Sequence, residues 1–479
     1  MLFRSPIYRN VWGLLYEFGD AEIASLIAPR PLIIEDTHGP EVDGPPAPRD
    51  GRSGAAPGKL VPPSIELVES EFERAKIFYE SLKAGQNIML TKGDISEKAT
   101  LAQFLKYMGC GIRMIESQPT IKDLRKNFDP SKRLYSQLQQ LVDHTQKLLR
   151  ESVFRRKEFW SKADASSLEK WQESCKYYRD YLWEEVIGKL PAPNMPPNPR
   201  TRLIHDQPNW KGYDVVIDVF PDVFAYGVLL VPKGIKDGER RPVVVCQHGL
   251  EGRPTPVIEP SDDTPYNGFG AKLADMGFVV YAPQNPYIGG DKFRVLQRKA
   301  NPLKKSLFSI IIRQHEQTLS WLSQLPFVDS SRIGFYGISY GGKTAMRVPS
   351  ILDSYALSIC SADFNEWITK NVTVDYGYSY IFTGEYEMFE FDLGNTFNYS
   401  DMAGLILPRP FMVERGHHDG VAPDEWVAYE YAAVRRLYTV LGISSKTRIE
   451  FFNGGHQINA QGTFDFLKQW LNFPEQIQK

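Results

Sequence analysis

Arg332-Ile333-Gly334-Phe335-Tyr336-Gly337-Ile338-Ser339-Tyr340-Gly341-Gly342-Lys343 decides how the rest of the chain is read. The run Arg332–Tyr336 predicts a strand and Gly341–Val348 predicts a helix. Between them, Gly337-Ile338-Ser339-Tyr340-Gly341 has the G-x-S-x-G spacing of a serine held on a tight strand-to-helix turn. The glycines have a steric reason, because side chains two residues to either side of such a serine would clash with the turn. The backbone N–H groups around it face a helix N-terminus, where negative charge is favoured. A Gly-rich turn without chemistry has the same spacing, so the partners of the serine must decide.

A serine hydroxyl attacks only when a base removes its proton, and the base needs an acid to fix its tautomer and stabilise the imidazolium. With a serine on this turn the chain order is serine, acid, histidine. His456, in FFNGGHQI, follows the last predicted strand; of the eight histidines it alone comes after both Ser339 and an acid-bearing loop. Asp419, in ERGHHDGVAP, lies three residues beyond the Gly416 that closes the strand RPFMVERG. Glu414, inside that strand, is the competing acid. An oxyanion hole needs two backbone N–H donors, one from the residue after the nucleophile and one from the loop after the third strand. Tyr340 is the first, and Leu250 in QHGLEG is the expected second, with His248 shaping the loop. A zinc site of His248, His417, His418 and Asp419 is the metal alternative, but adjacent histidines on a loop lack recognised ligand spacing. The catalytic set read from the residues is therefore Ser339, Asp419 and His456, with no metal and no cofactor.

Outward from the elbow, β-branched runs alternate with helix-like stretches from about Thr201 onward, which predicts an α/β fold with a mostly parallel eight-stranded sheet flanked by helices. Tyr213–Val219 and Ala225–Val231 predict an opening antiparallel pair, followed by RPVVVCQHG, GFVVYAPQN, RIGFYGIS, YALSICSA, RPFMVERG and TRIEFFNGG. Ligands of such sheets sit at the carboxyl ends of the strands. Around them, Tyr287, Asp291, Arg294, Asp363, Phe364, Trp367 and the run Tyr378–Phe391 suggest a polar, aromatic-lined cleft. Residues 128–190 predict helix, with Leu134, Leu138 and Leu141 at helical spacing and Asp129-Pro130 as a start signal. PAPNMPPNPR, residues 191–200, reads as a semi-rigid proline-rich connection. This gives three parts: 1–109, a helical connecting segment 110–200, and a catalytic domain 201–479.

The first part contains a diverged repeat. AEIASLIAPRPLIIE (21–35) aligns with SDMAGLILPRPFMVE (400–414) at seven of fifteen positions, including the PRP turn. Glu66–Tyr79 then lies over Glu425–Tyr438, Gly93-Asp94 over Gly455-His456, and Phe104-Leu105-Lys106 over Phe466-Leu467-Lys468. The copy has Asp94 in place of His456, a Gly/Pro-rich stretch, Gly39–Lys59, in place of the Asp419 loop, and no nucleophile half. It is expected to be a degenerate, non-catalytic partial repeat. An uncovered piece of sheet is costly in water, so it is expected to dock through 128–190 against the catalytic domain or against a second copy of the chain, making a homo-oligomer.

Composition narrows the partners. A chain of 479 residues exceeds one ordinary core, which favours more than one domain. Lys plus Arg number 56 against 58 Asp plus Glu, a net charge of −2 that recruits neither nucleic acid nor an anionic membrane surface. Four scattered cysteines have neither metal-binding spacing nor the density of a disulfide scaffold. No signal peptide or membrane-spanning run is apparent, which predicts a soluble protein.

The segment 210–475, through VVVCQHG, DSSRIGFYGISYGG, GHHDGVAP and GGHQI, resembles the dienelactone-hydrolase and acetyl-xylan-esterase branch of the α/β-hydrolases. The resemblance implies that Ser339, Asp419 and His456 match the family triad and that substrates are esters of small acids or of carbohydrates. Dienelactone hydrolases proper have a cysteine where this chain has Ser339. Lys343, four residues after the serine, is similar to the lysine of glucuronoyl esterases that contacts the sugar, whereas the arginine following their serine is Tyr340 here. A non-catalytic binding module on the same scaffold and a serine peptidase are the alternatives; for the latter no propeller repeat is visible.

Overall fold

The computed structural model describes residues 10–37, 42–43, 59–92, 98–110, 122–259, 264–288, 291–383 and 388–474. Two compact units are present, Met1–Asp143 with Arg298–Lys304, and His144–Gln297 with Lys305–Lys479. Thirteen strands occur among the described residues: β1 Leu32–Asp36, β2 Val42–Asp43, β3 Lys59–Leu60, β4 Ile88–Lys92, β5 Arg200–Asp206, β6 Trp210–Phe220, β7 Val223–Pro232, β8 Arg241–Gln247, β9 Val279–Gln284, β10 Val328–Ile338, β11 Leu357–Ser361, β12 Phe411–Gly416 and β13 Thr447–Phe452.

The larger unit is built on a mixed nine-stranded sheet of order β13-β12-β11-β10-β8-β9-β7-β6-β5. Strands β8 to β13 run parallel; β7, β6 and β5 add antiparallel neighbours on one side. β8, β9, β11 and β12 are buried along nearly their whole length, as strands covered on both faces are. Val243 and Val245 of β8 enter one core while Val244 and Cys246 enter the other, and Phe335 and Tyr336 of β10 divide the same way. The expected eight strands become nine. β5 was missed because its sequence, RTRLIHD, is charged and mostly exposed, as suits an edge strand. Its arginines pair across to β6, Arg200 with Asp218 at 2.6 Å and Arg202 with Asp214 at 2.6 Å.

Helix Pro130–Phe159 starts where the sequence predicts it, with Ser131 N–H donating to Asp129 Oδ1 at 2.9 Å. From residue 144 onward the helical residues share the core of the sheet unit instead of standing apart as a connector. Trp171 Nε1 donates to Gly404 O at 2.9 Å, Trp160 Nε1 to Thr396 O at 2.7 Å, and Cys175, Tyr178 and Leu182 enter the same core as Val243 and Phe335. The proline-rich stretch is pinned as well: Asp218 N–H donates to Pro197 O at 2.8 Å. No helix among the described residues is long and apolar enough to cross a membrane.

Helix Asp424–Val440 buries Glu430, whose Oε1 accepts the Ser400 N–H at 2.8 Å. Burial, reinforced by nearby Glu366 and Asp401, pushes its carboxyl up to about 8. A folded-state value above the unfolded one means that its stabilising contribution is complete below about pH 4.5 and is lost as pH rises through about 8. Glu430→Gln is therefore expected to raise the melting temperature relative to wild type at pH 9 more than at pH 5, read by thermal denaturation at both values.

In the smaller unit, β1 and β4 pair in parallel with Leu32 opposite Ile88, as Phe411 is opposite Thr447 in β12 and β13. Helices Ile65–Ser81 and Asp424–Val440 are each 17 residues long. Tyr79 OH donates to Arg30 O at 3.1 Å, and Tyr438 OH to Arg409 O at 2.8 Å. Ala21 N–H donates to Glu71 at 3.1 Å, in the place of the Ser400–Glu430 bond. Asp94 and most of Gly39–Lys59 lie outside the described residues.

Candidate active site

Ser339 stands between β10 and helix Tyr340–Ile351, at φ 59° and ψ −122°. A non-glycine residue there is strained and persists only because its surroundings hold it. The holding is visible: Ser339 N–H donates to Ser361 O at 2.9 Å, and Ser339 O accepts from Lys343 N–H at 2.9 Å. A Cβ on Gly337 would lie 2.2 Å from Gly341 O, and one on Gly341 would lie 2.5 Å from Gln247 O. The spacing of the motif is thus a packing requirement at both glycines.

The loop after β8 comes against the serine, since a Cβ on Gly249 would be 3.1 Å from Ser339 Cβ and 3.5 Å from its Oγ. Leu250 follows it, packed at the edge of the core. The Tyr340 N–H belongs to the first turn of its helix, where N–H groups have no intrahelical acceptor. His248 shapes this loop: Nδ1 meets Gly249 O at 2.7 Å, Nε2 accepts from Asn285 N–H at 3.2 Å, and burial pushes the imidazole down to about 4. These contacts fit a neutral ring with its proton on Nδ1.

Asp419 and His456 meet. His456 Nδ1 lies 3.0 Å from Asp419 Oδ1, the carboxylate side chain is fully buried, and the imidazole is about one-third exposed. Both loops are tied at the backbone, with His417 N–H on Phe452 O at 3.0 Å and His418 N–H on Gly454 O at 2.9 Å. Asp419 Oδ1 also accepts the Val421 N–H at 2.9 Å. Ser339, Asp419 and His456 follow β10, β12 and β13 respectively, at the carboxyl edge of parallel strands, where such sheets place their ligands.

Glu414 is turned elsewhere. Its carboxylate accepts from Tyr336 OH at 2.8 Å, Ser361 Oγ at 2.6 Å, Asn459 N–H at 3.2 Å, Ala460 N–H at 3.1 Å and Thr463 Oγ1 at 3.3 Å. Burial pushes it up to about 7 against those donors. It anchors the segment after His456 to the sheet. The four residues of the zinc alternative go separate ways: His417 Nδ1 meets Asp424 Oδ2 at 2.5 Å and His418 Nε2 meets Asn453 Oδ1 at 2.9 Å, while His248 is held as above. No group of three or more His, Cys, Asp or Glu is placed to hold a metal among the described residues.

The expected aromatic cleft divides. Tyr287, Phe364 and Trp367 are core residues, with Tyr287 packed on Tyr340 at 3.9 Å between ring centroids and Trp367 stacked on Tyr399 at 4.9 Å. Tyr376, Tyr378, Phe389 and Phe391 are exposed. Lys343 is buried, 3.7 Å from Glu390 and over the rings of Tyr340, Phe308 and Trp367. Two cations next to the acid loop were not read from the sequence. Arg415 Nη1 lies 3.1 Å from Asp419 Oδ2. Lys370, pushed down to about 8 chiefly by burial, donates to Tyr378 O at 2.6 Å and to Val421 O.

No family profile matches this chain. YtaP of Bacillus subtilis strain 168, provisionally named a hydrolase, is 24% identical over 243 residues, 48% of this chain and 79% of that protein. The structural neighbours include acetyl xylan esterases and glucuronoyl esterases. A protein of Bacteroides fragilis NCTC 9343 provisionally assigned as an acetyl xylan esterase superposes with a TM-score of 0.48 and 17% identity, covering 60% of this chain and 75% of its own. The glucuronoyl esterase of Solibacter usitatus superposes with a TM-score of 0.46 and 15% identity, covering 64% of this chain and 93% of its own.

Proposed function

We propose that the chain is a serine carboxylic-ester hydrolase of the α/β-hydrolase kind, with Ser339 as nucleophile, His456 as general base and Asp419 as its acid. The observation that carries this reading is the 3.0 Å contact between His456 Nδ1 and a fully buried Asp419 carboxylate, in a chain whose Ser339 is held at a positive φ at the end of β10. The Ser339 hydroxyl attacks the ester carbonyl as His456 Nε2 takes its proton, and the N–H groups of Tyr340 and Leu250 receive the oxyanion. His456 returns the proton to the departing alcohol, leaving an acyl-enzyme. Water, deprotonated by the same imidazole, then releases the acid and restores the hydroxyl.

Esters of small acids or of carbohydrates are the proposed substrates, supported by the motif resemblance and by the exposed rings of Tyr376, Tyr378, Phe389 and Phe391, whose faces suit sugar rings. A panel of p-nitrophenyl acetate, acetylated sugars, uronate methyl esters and a peptide amide tests it. Turnover of one of the esters and not of the amide is expected. Inertness toward every ester, with no labelling by a fluorophosphonate, would leave a non-catalytic scaffold, and amide cleavage would leave a peptidase. Activity is expected to rise with pH along a single limb, because the base must be neutral to take the serine proton, and to be indifferent to chelators. A rate constant across pH 5 to 9, or abolished by chelation, would contradict this.

We also infer that residues 1–109 are a degenerate, non-catalytic copy of the closing third of the hydrolase module. The matched strand register, the two 17-residue helices and the paired tyrosine and glutamate bonds support it.

A further inference from the structure

We infer that Arg415 is a positioning residue for the proposed triad, setting the basicity of His456 through Asp419; the inference rests on the esterase reading above. Arg415 is the penultimate residue of β12, and its side chain is 3% exposed. It turns beneath the acid loop. Nη2 donates to Asp419 O at 2.9 Å and to Ala422 O, and Nε meets Asp424 Oδ1 at 3.0 Å. Nη1 stands 3.1 Å from Asp419 Oδ2, an atom on which no hydrogen-bond donor is aligned among the described residues. The two oxygens of one fully buried carboxylate thus face two different partners, the imidazole on Oδ1 and the guanidinium on Oδ2.

The consequence is electrostatic. A carboxylate that faces only an imidazole stabilises the imidazolium strongly and raises its proton affinity. A guanidinium on the other oxygen offsets part of that negative charge, so the imidazole releases its proton at a lower pH. Among the described residues, the other charges near the pair include Lys370 from helix Trp367–Val372, which lies close enough to act on Asp419 and also feels Asp363, and the Asp424–His417 pair beyond Arg415. His418 is turned toward Asn453. Of these, Arg415 alone contacts the Asp419 side chain.

The internal comparison separates this role from scaffolding. In the matched register Glu35 stands for Glu414, but Asp36 stands for Arg415. The glutamate is common to both copies, and the arginine occurs only in the copy that carries Asp419 and His456.

The test is Arg415→Gln against Arg415→Lys, each checked for folding by its melting temperature. In Arg415→Gln the acid limb of kcat/KM on p-nitrophenyl acetate is expected to move up by roughly half to one pH unit with KM unchanged, as for the loss of one nearby charge. Arg415→Lys should keep the wild-type limb to within about a third of that shift, because it keeps the charge while losing the forked hydrogen bonds. An unmoved limb in folded Arg415→Gln, or equal shifts in the two variants, would reduce Arg415 to a clamp on the loop carbonyls. Should Arg415→Gln not fold, Asp424→Asn frees the guanidinium to act on Asp419 and is expected to move the limb down; no movement would overturn the proposal. An NMR titration of the His456 ring in the same proteins gives this answer without turnover, so failure of the esterase reading and failure of the Arg415 role are distinguishable.

Discussion

Ser339→Ala is expected to lower kcat by roughly four to six orders of magnitude while the melting temperature stays close to wild type, and His456→Ala should cost about as much. The equality follows from the mechanism, in which the hydroxyl is a poor nucleophile without the base and the base has nothing to activate without the hydroxyl. Stability should hold in both. Alanine at position 339 keeps the two backbone hydrogen bonds of the elbow, to Ser361 O and from Lys343 N–H, and adds no steric burden at φ 59° beyond that of serine. His456 is part-exposed, so its truncation opens no core cavity. Steady-state kinetics on p-nitrophenyl acetate with thermal melts separates chemistry from folding. A loss of less than tenfold in Ser339→Ala would remove Ser339 from the reaction.

The second large effect discriminates between two buried carboxylates five residues apart. Asp419→Asn is expected to lower kcat about 10⁴-fold, because the amide favours the wrong imidazole tautomer and cannot stabilise the imidazolium. Glu414→Gln should instead act on the fold. Five donors converge on Glu414, and an amide turns its own N–H₂ toward some of them, so a stability loss of about 1–3 kcal/mol is expected with kcat within tenfold. Denaturant unfolding together with kcat resolves the two. A 10⁴-fold kinetic loss in folded Glu414→Gln would move the acid assignment from Asp419 to Glu414.

What the sequence could disclose followed burial and sterics. RPVVVC and RPFMVERG announce themselves as strands because both faces are covered, and the elbow because no side chain fits at Gly337 or Gly341. The Asp129 cap is local and was legible for that reason. Features made by distant residues were not. β5 is charged and exposed, so neither apolar alternation nor a buried run marks it, and its partner bonds appear only once β6 is beside it. Residues 144–190 look like any amphipathic helices until Trp160 and Trp171 are seen capping carbonyls more than 230 positions away. Tyr287 and Trp367 show the limit of composition: an aromatic near a strand end can line a cleft or fill a core, and these fill the core. Within the candidate site, chain order points to Asp419 and His456, and their side chains meet in the structure. Arg415 leaves a fainter mark in the sequence, its four-residue spacing from Asp419 and the Asp36 at the aligned position of the proposed repeat.

The most direct measurement of the central claim is labelling of the intact protein with a fluorophosphonate at neutral pH, followed by mass spectrometry of its peptides. The account predicts a single stoichiometric adduct on Ser339, lost in Ser339→Ala and slowed by orders of magnitude in His456→Ala. An unlabelled protein, or an adduct on any other residue with Ser339 unmodified, would contradict it.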